Sequence, residues 1–279
     1  MANTKNKLTD WIGNVEKRTE LIHQQALDGF AALMDEDAAP SSFLPAGGHW
    51  MFFLPTDRQS NLAHDGHGKK GDFLPPVDLP RRMWAGGRLK FQRPIKAGDT
   101  IEKISTVKSV EEKEGRSGNL VFVTVEHELN KDGNCYIREE HDIVYREAAQ
   151  PGETPPTPKM APIDADWEQT IVPDPVMLFR YSALTFNGHR IHYDRDYVTS
   201  VEGYPGLVVH GPLIGTLLMK LAIDNMGGKS LKTFEFRNSS PIFDTDPFRI
   251  CGRKLDDDSC EVWATGPEGQ LAVKATAQF

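Results

Sequence analysis

Two kinds of hydrophobic periodicity alternate along the chain and predict both helices and strands. Apolar residues recur near helical spacing from Ile12 to Leu33, which predicts a first helix there. Val121, Val123 and Val125 instead recur at a spacing of two, as in a strand with one buried face. Similar strand-like runs lie on either side: GRLKFQRPI, TIEKISTVKSVEEK and CYIREEHDIVYR. The first part of the chain is therefore predicted to be a helix followed by several strands.

The second part repeats this order. Helical patterns in PDPVMLFRYSALTF and PLIGTLLMKLAIDNM precede four strand-like runs: LKTFEFRNS, PFRICGRKL, CEVWATG and LAVKATAQF. The segments FQRPIKAGDTI and FRNSSPIFDTDPF share a strand–bend–strand pattern, which indicates an internal duplication. Antiparallel strands wrapping one apolar helix, twice over, predict an α+β architecture.

A proline-rich segment separates the two parts. Prolines between residues 147 and 166 forbid a regular helix or an inner strand, among them Pro155, Pro156, Pro158 and Pro162. We interpret 147–166 as a linker between a domain at 1–146 and a domain at 167–279. A single long surface loop is the alternative.

Composition narrows the function classes. The 279 residues carry a net charge of −8, which argues against nucleic acid held by bulk electrostatics. No apolar run approaches the ~20 residues of a membrane span, and the N-terminus lacks the apolar core of a signal peptide. Three scattered cysteines without CxxC spacing are typical of reduced thiols. A cytoplasmic protein without a nucleic-acid or membrane partner is expected.

The segment YSALTFNGHRIHYDRDYV, residues 181–198, is the first concentration of candidate chemistry. FNG predicts a helix stop, so Asn187 and His192 would lie five residues apart across a sharp bend. An imidazole exchanges a proton near neutral pH, and an amide holds a water molecule without ionising. The pair has the groups needed to add water across a double bond.

The segment GYPGLVVHGPLIGTLL adds a carbonyl-binding element. Gly211 and Pro212 stand where a long apolar helix is predicted to begin. The free N–H groups and the positive end of the helix dipole can polarise a carbonyl group. The two segments together fit chemistry α,β to a thioester carbonyl.

The pair SALTFNGHRIHYD and GYPGLVVHGPL resembles the MaoC-like, or R-specific enoyl-CoA hydratase, superfamily. Asn187, His189 and Arg190 stand where most of that superfamily has Asp, Asn and Pro. These departures resemble the branch of mesaconyl-CoA and itaconyl-CoA hydratases and mitochondrial-type 3-hydroxyacyl-thioester dehydratases. HWMFFLP and FLPPVDLPRRMWAGGRLKFQRPI in the first half resemble the same branch.

This resemblance implies a double hot-dog fold whose second half carries the site. By position, His192 would be the general base and acid, Asn187 would orient the water, and the Gly211 N–H would hold the thioester oxygen. Thr216 offers the only hydroxyl where many relatives carry a serine in the central helix. The same region supplies further candidates for substrate binding: His189, Arg190, Tyr193 and His210.

Several cations and one loop have alternative interpretations. Arg190 could pair with Asp194 or Asp196, or could receive a distal carboxylate of the substrate. Asp194 is predicted to cap the next short helix. Arg82 and Arg88 flank MWAGG and could meet coenzyme A phosphates or form a solvated face. HDGHG at residues 64–68 is interpreted as a flexible loop, with a lid as the alternative.

The expected protein is a homodimeric acyl-CoA hydratase/dehydratase without a metal or redox cofactor. Its favoured substrates are short branched dicarboxylic enoyl thioesters such as mesaconyl-C4-CoA or itaconyl-CoA. The alternatives are a 3-hydroxyacyl-thioester dehydratase of fatty acid metabolism and a non-catalytic acyl-thioester-binding subunit. A metal-dependent hydrolase would draw its ligands from four residues: His189, His192, Asp194 and His210.

Overall fold

A single antiparallel sheet of ten strands forms the frame of the protein. The computed structural model describes residues 7–36, 43–115, 118–147 and 157–279. The first half contributes five strands and one α-helix: β1 (Val15–Leu21), α1 (Gln24–Leu33), β2 (Arg81–Phe91), β3 (Thr100–Gly115), β4 (Gly118–Lys131) and β5 (Asn134–Arg146). The second half contributes five strands and three α-helices: β6 (Trp167–Ile171), α2 (Pro175–Thr185), α3 (Arg195–Ser200), α4 (Gly211–Asn225), β7 (Thr233–Asn238), β8 (Phe248–Lys254), β9 (Ser259–Thr265) and β10 (Leu271–Gln278).

The strand order shows the same topology twice. Across the sheet it runs β1-β3-β4-β5-β2-β7-β10-β9-β8-β6. From the outer edge to the centre, the first half therefore has the order β1-β3-β4-β5-β2 and the second half has the equivalent order β6-β8-β9-β10-β7. The halves join where β2 pairs antiparallel with β7. A Cβ atom on Gly86 would lie 2.4 Å from the carbonyl oxygen of Phe236, so only glycine permits this close junction.

Helix α4 fills the concave face of the second half. It contacts β7, β8, β9 and β10. Its sequence is apolar on nearly every side because both the sheet and the loops around it bury it. The apolar core that it forms with the sheet includes Leu213, Leu218, Phe234, Val262 and Ala264, each of which is fully buried. The predicted helices around 175–185 and 211–225 and the four strands after them are thus present.

The helix predicted from Ile12 onward is wrong in its first half. A short 3-10 helix, Leu8–Trp11, is followed by β1, and α1 begins only at Gln24. Gly13 has a φ of +86°, a left-handed conformation that breaks a helix, and residues 15–21 pair along the edge of β3. Ile12, Val15 and Leu21 are about half exposed, so their helix-like spacing has no buried face behind it.

The first half consequently leaves part of its sheet uncovered. Helix α1 has ten residues against fifteen in α4, and its Leu27 and Phe30 pack with Met51 and Ile101 at one end of the sheet. The rest of the concave face of β2–β5 opens on a cavity. The two halves of the predicted repeat therefore differ. Helix α4 covers the concave face of the second half, whereas a cavity adjoins most of the concave face of the first half.

The predicted linker is only partly visible. Residues 148–156 lie outside the described part of the chain, whereas Met160 forms a bridge with Gln270 of the second half. None of the helices in the described ranges is long and apolar enough to cross a membrane.

Candidate active site

A cavity of about 1160 Å³ lies between the two halves. One wall is the concave face of the first half, where polar and aromatic side chains predominate: Arg82, Trp84, Lys103, Ser105, His127, Glu139 and His141. The opposite wall comes from the bend after α2 and the start of α4: Asn187, Gly188, Arg190, Tyr193 and Pro212. The cavity therefore faces the two motifs that the sequence singled out.

The bend begins where α2 ends. Asp174 caps the start of α2 by accepting the Met177 N–H at 2.7 Å. The left-handed residue that ends the helix is Phe186, with a φ of +47°, rather than Asn187 or Gly188. The Asn187 side-chain oxygen then accepts the His189 N–H at 3.0 Å. This bond fixes the amide orientation, and its NH₂ group has no protein acceptor among the described residues.

His192 is placed by one hydrogen bond. Its Nδ1 lies 2.7 Å from the carbonyl oxygen of Val208, which can only accept, so Nδ1 carries the proton. In the neutral imidazole the lone pair is therefore on Nε2. Burial and, to a smaller extent, the neighbouring His189 together lower the pKa of His192 to about 3, so the ring is neutral at pH 7. His192 has the tautomer of a general base.

His210 supports His192 from behind. The two rings stack with centroids 3.7 Å apart and an angle of 17° between their planes. His210 Nε2 is bonded to the Ser182 hydroxyl at 2.8 Å, and burial holds the pKa of His210 well below its usual value. These contacts tie the bend to α2 and to the start of α4.

The start of α4 is where the sequence predicted a carbonyl-binding element. Gly211 is its first residue, and its N–H has no intrahelical acceptor. A Cβ at Gly211 would lie 3.2 Å from the amide nitrogen of Asn238, which leaves little room for a side chain. Thr216 is buried with its hydroxyl bonded to the Pro212 carbonyl at 3.0 Å, so it supports the helix turn.

The structure separates the predicted site residues into two groups. Four of them line the cavity: Arg82, Asn187, Arg190 and Tyr193. Four others stand next to that wall on the same bend or at the start of α4: His189, His192, His210 and Gly211. Tyr193 is half exposed and donates its hydroxyl to the Gly188 carbonyl at 3.0 Å, which braces the bend.

Arg88 lies away from the cavity although it shares β2 with Arg82. A bulge between Trp84 and Gly86 shifts the register with β5, so Arg88 faces Glu140 and Asp142 on the outer surface. Its guanidinium is bonded to both carboxylates at 2.6 Å, and these bonds raise its pKa. Arg88 therefore has a structural partner for each side of its guanidinium.

Arg190 makes the ion pair that the sequence offered as one alternative. Its Nε and an Nη both donate to Asp194, at 2.9 and 2.8 Å, and its other Nη donates to the His64 carbonyl. The guanidinium also stacks over Tyr197 at 4.1 Å. Asp194 in turn caps α3 by accepting the Tyr197 N–H, as predicted. All three guanidinium nitrogens of Arg190 are thus engaged.

The loop at residues 64–68 packs directly on the bend. Gly66 is so close that a Cβ there would lie 1.9 Å from the Gly188 carbonyl oxygen. The ring of His67 lies 4.2 Å from that of His189 and is bonded to Asp65 at 3.0 Å. Potential ligand atoms of Asp65, His67 and His189 lie within 4.8 Å of one another, so these three could hold a metal ion.

The sequence analysis missed a cluster of hydrogen bonds around one buried carboxylate, that of Glu139, on the first-half wall. Glu139 is 2% exposed and accepts from His49 at 2.9 Å, Trp50 at 2.8 Å and His141 at 2.5 Å. Burial raises its pKa, but His141 and His49 outweigh burial and hold it well below the usual value. The available signal was the spacing of two along β5, which places Glu139 and His141 on the same strand face as Ile143 and Tyr145.

Comparison with characterised families places the chain. The model of the family described as "hydroxyacyl-thioester dehydratase type 2" matches residues 47–244. A mesaconyl-C(4)-CoA hydratase of Chloroflexus aurantiacus is 43% identical over 272 residues, covering 96% of each chain. A mitochondrial hydroxyacyl-thioester dehydratase type 2 of Schizosaccharomyces pombe is 34% identical, covering 77% of this chain and 79% of that one.

Solved structures confirm the predicted fold. A MaoC-like dehydratase of Phytophthora capsici superimposes with a TM-score of 0.71 at 15% identity, over 98% of both chains. A Mycobacterium tuberculosis protein described as a double hotdog fold superimposes with a TM-score of 0.55 at 12% identity, over 95% of both. The chain is a double hot-dog protein.

Proposed function

Because the chain belongs to the hydroxyacyl-thioester dehydratase type 2 family, whose members are hydro-lyases, we propose that it hydrates a short branched dicarboxylic enoyl-CoA. The favoured substrates are mesaconyl-C4-CoA, the substrate in the name of the 43% identical relative, and itaconyl-CoA. The observation that carries the assignment is His192, whose Nδ1 donates to Val208 and leaves Nε2 as a base beside Asn187.

The proposed reaction uses three groups of this chain. His192 Nε2 takes a proton from water while the hydroxide adds to the β carbon of the double bond. The electron pair moves to the thioester oxygen, where the Gly211 N–H and the helix dipole of α4 stabilise the negative charge. His192 then returns the proton to the α carbon. Dehydration is the same path in reverse.

The amide of Asn187 positions the water in this scheme. Its oxygen is occupied by the His189 N–H, so its NH₂ group donates to the water oxygen. The water can then direct one proton toward His192. A non-catalytic thioester-binding subunit would have no use for this arrangement, which favours an enzyme over a binding module.

Replacing Asn187 with alanine is expected to lower kcat by about 10²-fold, since the water loses its position. Asn187→Asp should keep partial activity because its carboxylate still accepts from the His189 N–H and can hold the water by accepting the proton that is not directed toward His192. Its negative charge would also raise the pKa of His192, so the acid limb of the kcat–pH profile should move to higher pH. Steady-state kinetics from pH 3 to 9 measure both effects. A dead Asp variant beside an active Ala variant would contradict the water-positioning role.

The function itself is tested with a panel of enoyl-CoA esters. Hydration removes the conjugated double bond, so the decrease in ultraviolet absorbance follows the reaction directly. Mesaconyl-C4-CoA and itaconyl-CoA should have higher kcat/KM than crotonyl-CoA or longer fatty enoyl-CoA esters. A preference for long monocarboxylic chains would support the alternative, a 3-hydroxyacyl-thioester dehydratase of fatty acid metabolism, named by the 34% identical relative.

The reaction as proposed needs neither a metal nor a redox cofactor, because His192 supplies the base and the Gly211 N–H supplies the carbonyl-binding group. Metal analysis of the purified protein and kinetics after EDTA treatment test this proposal. Stoichiometric zinc lost together with activity would assign Asp65, His67 and His189 to a metal centre instead.

A cytoplasmic homodimer is the proposed state of the enzyme. The support for pairing is an exposed apolar strip at the start of α2, where Val172, Val176 and Phe179 are 62–67% exposed. Light scattering coupled to gel filtration measures the mass in solution, and cell fractionation tests the compartment. The proposed partners are acyl-CoA thioesters and a second copy of the chain, without nucleic acid or membrane.

A further inference from the structure

Among the described residues, the cavity contains two cationic side chains that have neither a hydrogen bond nor an ion pair. Six cations line it: Arg18, Lys69, Lys70, Arg82, Lys103 and Arg190. Four of these donate to nearby oxygen atoms of the protein: Arg18, Lys69, Lys70 and Arg190. Within the described residues, Arg82 and Lys103 have neither a hydrogen bond nor a carboxylate at ion-pair distance. A half-buried cation without a partner has lost hydration and gained nothing from the protein in return.

Arg82 is the one of the two that acts on the catalytic bend. Its charge is among those that depress the pKa of His189, three residues before His192. The charge of Lys103 acts instead on His127, within the Glu139 cluster, and its ammonium group lies over the Phe53 ring. The charge of Arg82 therefore acts on the bend, whereas the charge of Lys103 acts on the Glu139 cluster.

A second unpartnered donor stands beside Arg82. Tyr145 is directly opposite Arg82 in the β2–β5 register, so their Cβ atoms are neighbours. The Tyr145 hydroxyl is fully buried and has no hydrogen-bond partner among the described residues. Tyr145 is not among the lining residues of the cavity, so Arg82 is the donor of this pair that a bound anion meets first.

We propose that Arg82 is the receptor for the distal carboxylate of the acyl group and so determines the preference for dicarboxylic substrates. This inference rests on the proposed function and adds the specificity-determining residue. In a short branched enedioyl thioester the distal carboxylate is attached at or beside the double bond. Its receptor must therefore lie beside the bend that carries Asn187 and His192.

The chemistry of Arg82 suits this role. A guanidinium presents two parallel N–H groups to a carboxylate and remains charged at every physiological pH. The bulge after Trp84 keeps Arg82 on the concave face while it turns Arg88 outward, so the sheet selects one of the two arginines. Arg190, the other candidate for this carboxylate, already uses its guanidinium on Asp194 and His64.

Kinetics of Arg82→Gln on two substrates test the proposal. We expect kcat/KM for mesaconyl-C4-CoA to fall by about ten- to hundredfold, and that for crotonyl-CoA, which lacks the carboxylate, to change by less than about threefold. Arg82→Lys keeps the charge without the paired donors and should lie between wild type and Arg82→Gln. Arg81→Gln is the matched control, because Arg81 is adjacent on β2 and pairs with Glu202 outside the cavity.

Three outcomes would overturn the assignment. An equal loss on both CoA substrates that disappears with the matching N-acetylcysteamine thioesters would assign Arg82 to a coenzyme A phosphate. A selective loss in Arg190→Gln and none in Arg82→Gln would move the receptor to Arg190. Failure of the proposed function is distinguishable, since wild-type protein would then hydrate neither substrate. Wild-type activity on crotonyl-CoA alone would sink the dicarboxylate receptor and leave the hydratase intact.

Discussion

Replacing His192 with alanine is expected to lower kcat by about 10²–10⁴-fold, the usual contribution of a positioned acid–base group. The loss should appear in kcat more than in KM, because Nε2 acts on the attacking water and not on substrate binding. His192→Asn can keep a donor toward the Val208 carbonyl and still has no base, so it should be equally impaired. Turnover of mesaconyl-C4-CoA or crotonyl-CoA measures the effect.

The control for this prediction must separate chemistry from folding. His192 is buried and stacked on His210, so each variant needs a thermal unfolding curve and a circular dichroism spectrum. His23→Ala is a matched substitution at an exposed histidine before α1, and wild-type turnover is expected of it. A folded His192→Ala protein with wild-type kcat would show that another group carries the proton.

The parts of the site that the sequence predicted are local in the chain. Asn187 and His192 belong to one bend. Gly211, the first residue of α4, comes within twenty residues of His192 in the chain. Short-range rules suffice for such features: a helix stop, a capping aspartate and a proline in the first helical turn. Hydrophobic periodicity likewise located α2, α4 and eight of the ten strands of the described residues, and it missed the two edge strands, β1 and β6.

The parts that escaped prediction depend on pairing between distant strands. Arg82 and Arg88 are six residues apart and would share a face of an ideal strand. The bulge that separates them exists only because β2 pairs with both β5 and β7. The helix expected from Ile12 failed for a similar reason, since pairing with β3 determines the conformation of residues 15–21.

The Glu139 cluster is the clearest of these long-range features. His49 and Trp50 come from a 3-10 turn some 90 residues before Glu139, and no local pattern connects them. In the second half, α4 covers the equivalent face of the sheet with apolar side chains. In the first half these polar groups must satisfy one another, because a cavity replaces the helix.

Removing the Glu139 carboxylate is therefore expected to lower the free energy of unfolding by about 3–5 kcal/mol, as for a buried ion pair that loses one partner. Glu139→Ala leaves the His49 and Trp50 donors buried without an acceptor. Urea unfolding at pH 7 measures the loss. Glu140→Ala is the matched control: Glu140 is the next residue, on the outer face, where its pair with Arg88 contributes at most about 1 kcal/mol.

The pH dependence of that difference tests its electrostatic origin. The pKa of Glu139 lies well below the usual value of 4.5 in the folded protein, so the unfolded chain binds its proton first as the pH falls. The stabilisation by ionised Glu139 is complete above pH 4.5 and is lost as the pH falls toward the lower folded pKa. The difference in the free energy of unfolding between wild type and Glu139→Ala should therefore be constant from pH 8 to pH 6 and become smaller below pH 4.5. A gap that stays unchanged down to pH 3 would mean that Glu139 stabilises this wall through packing, and that its charge is not what holds His49 and His141 in place.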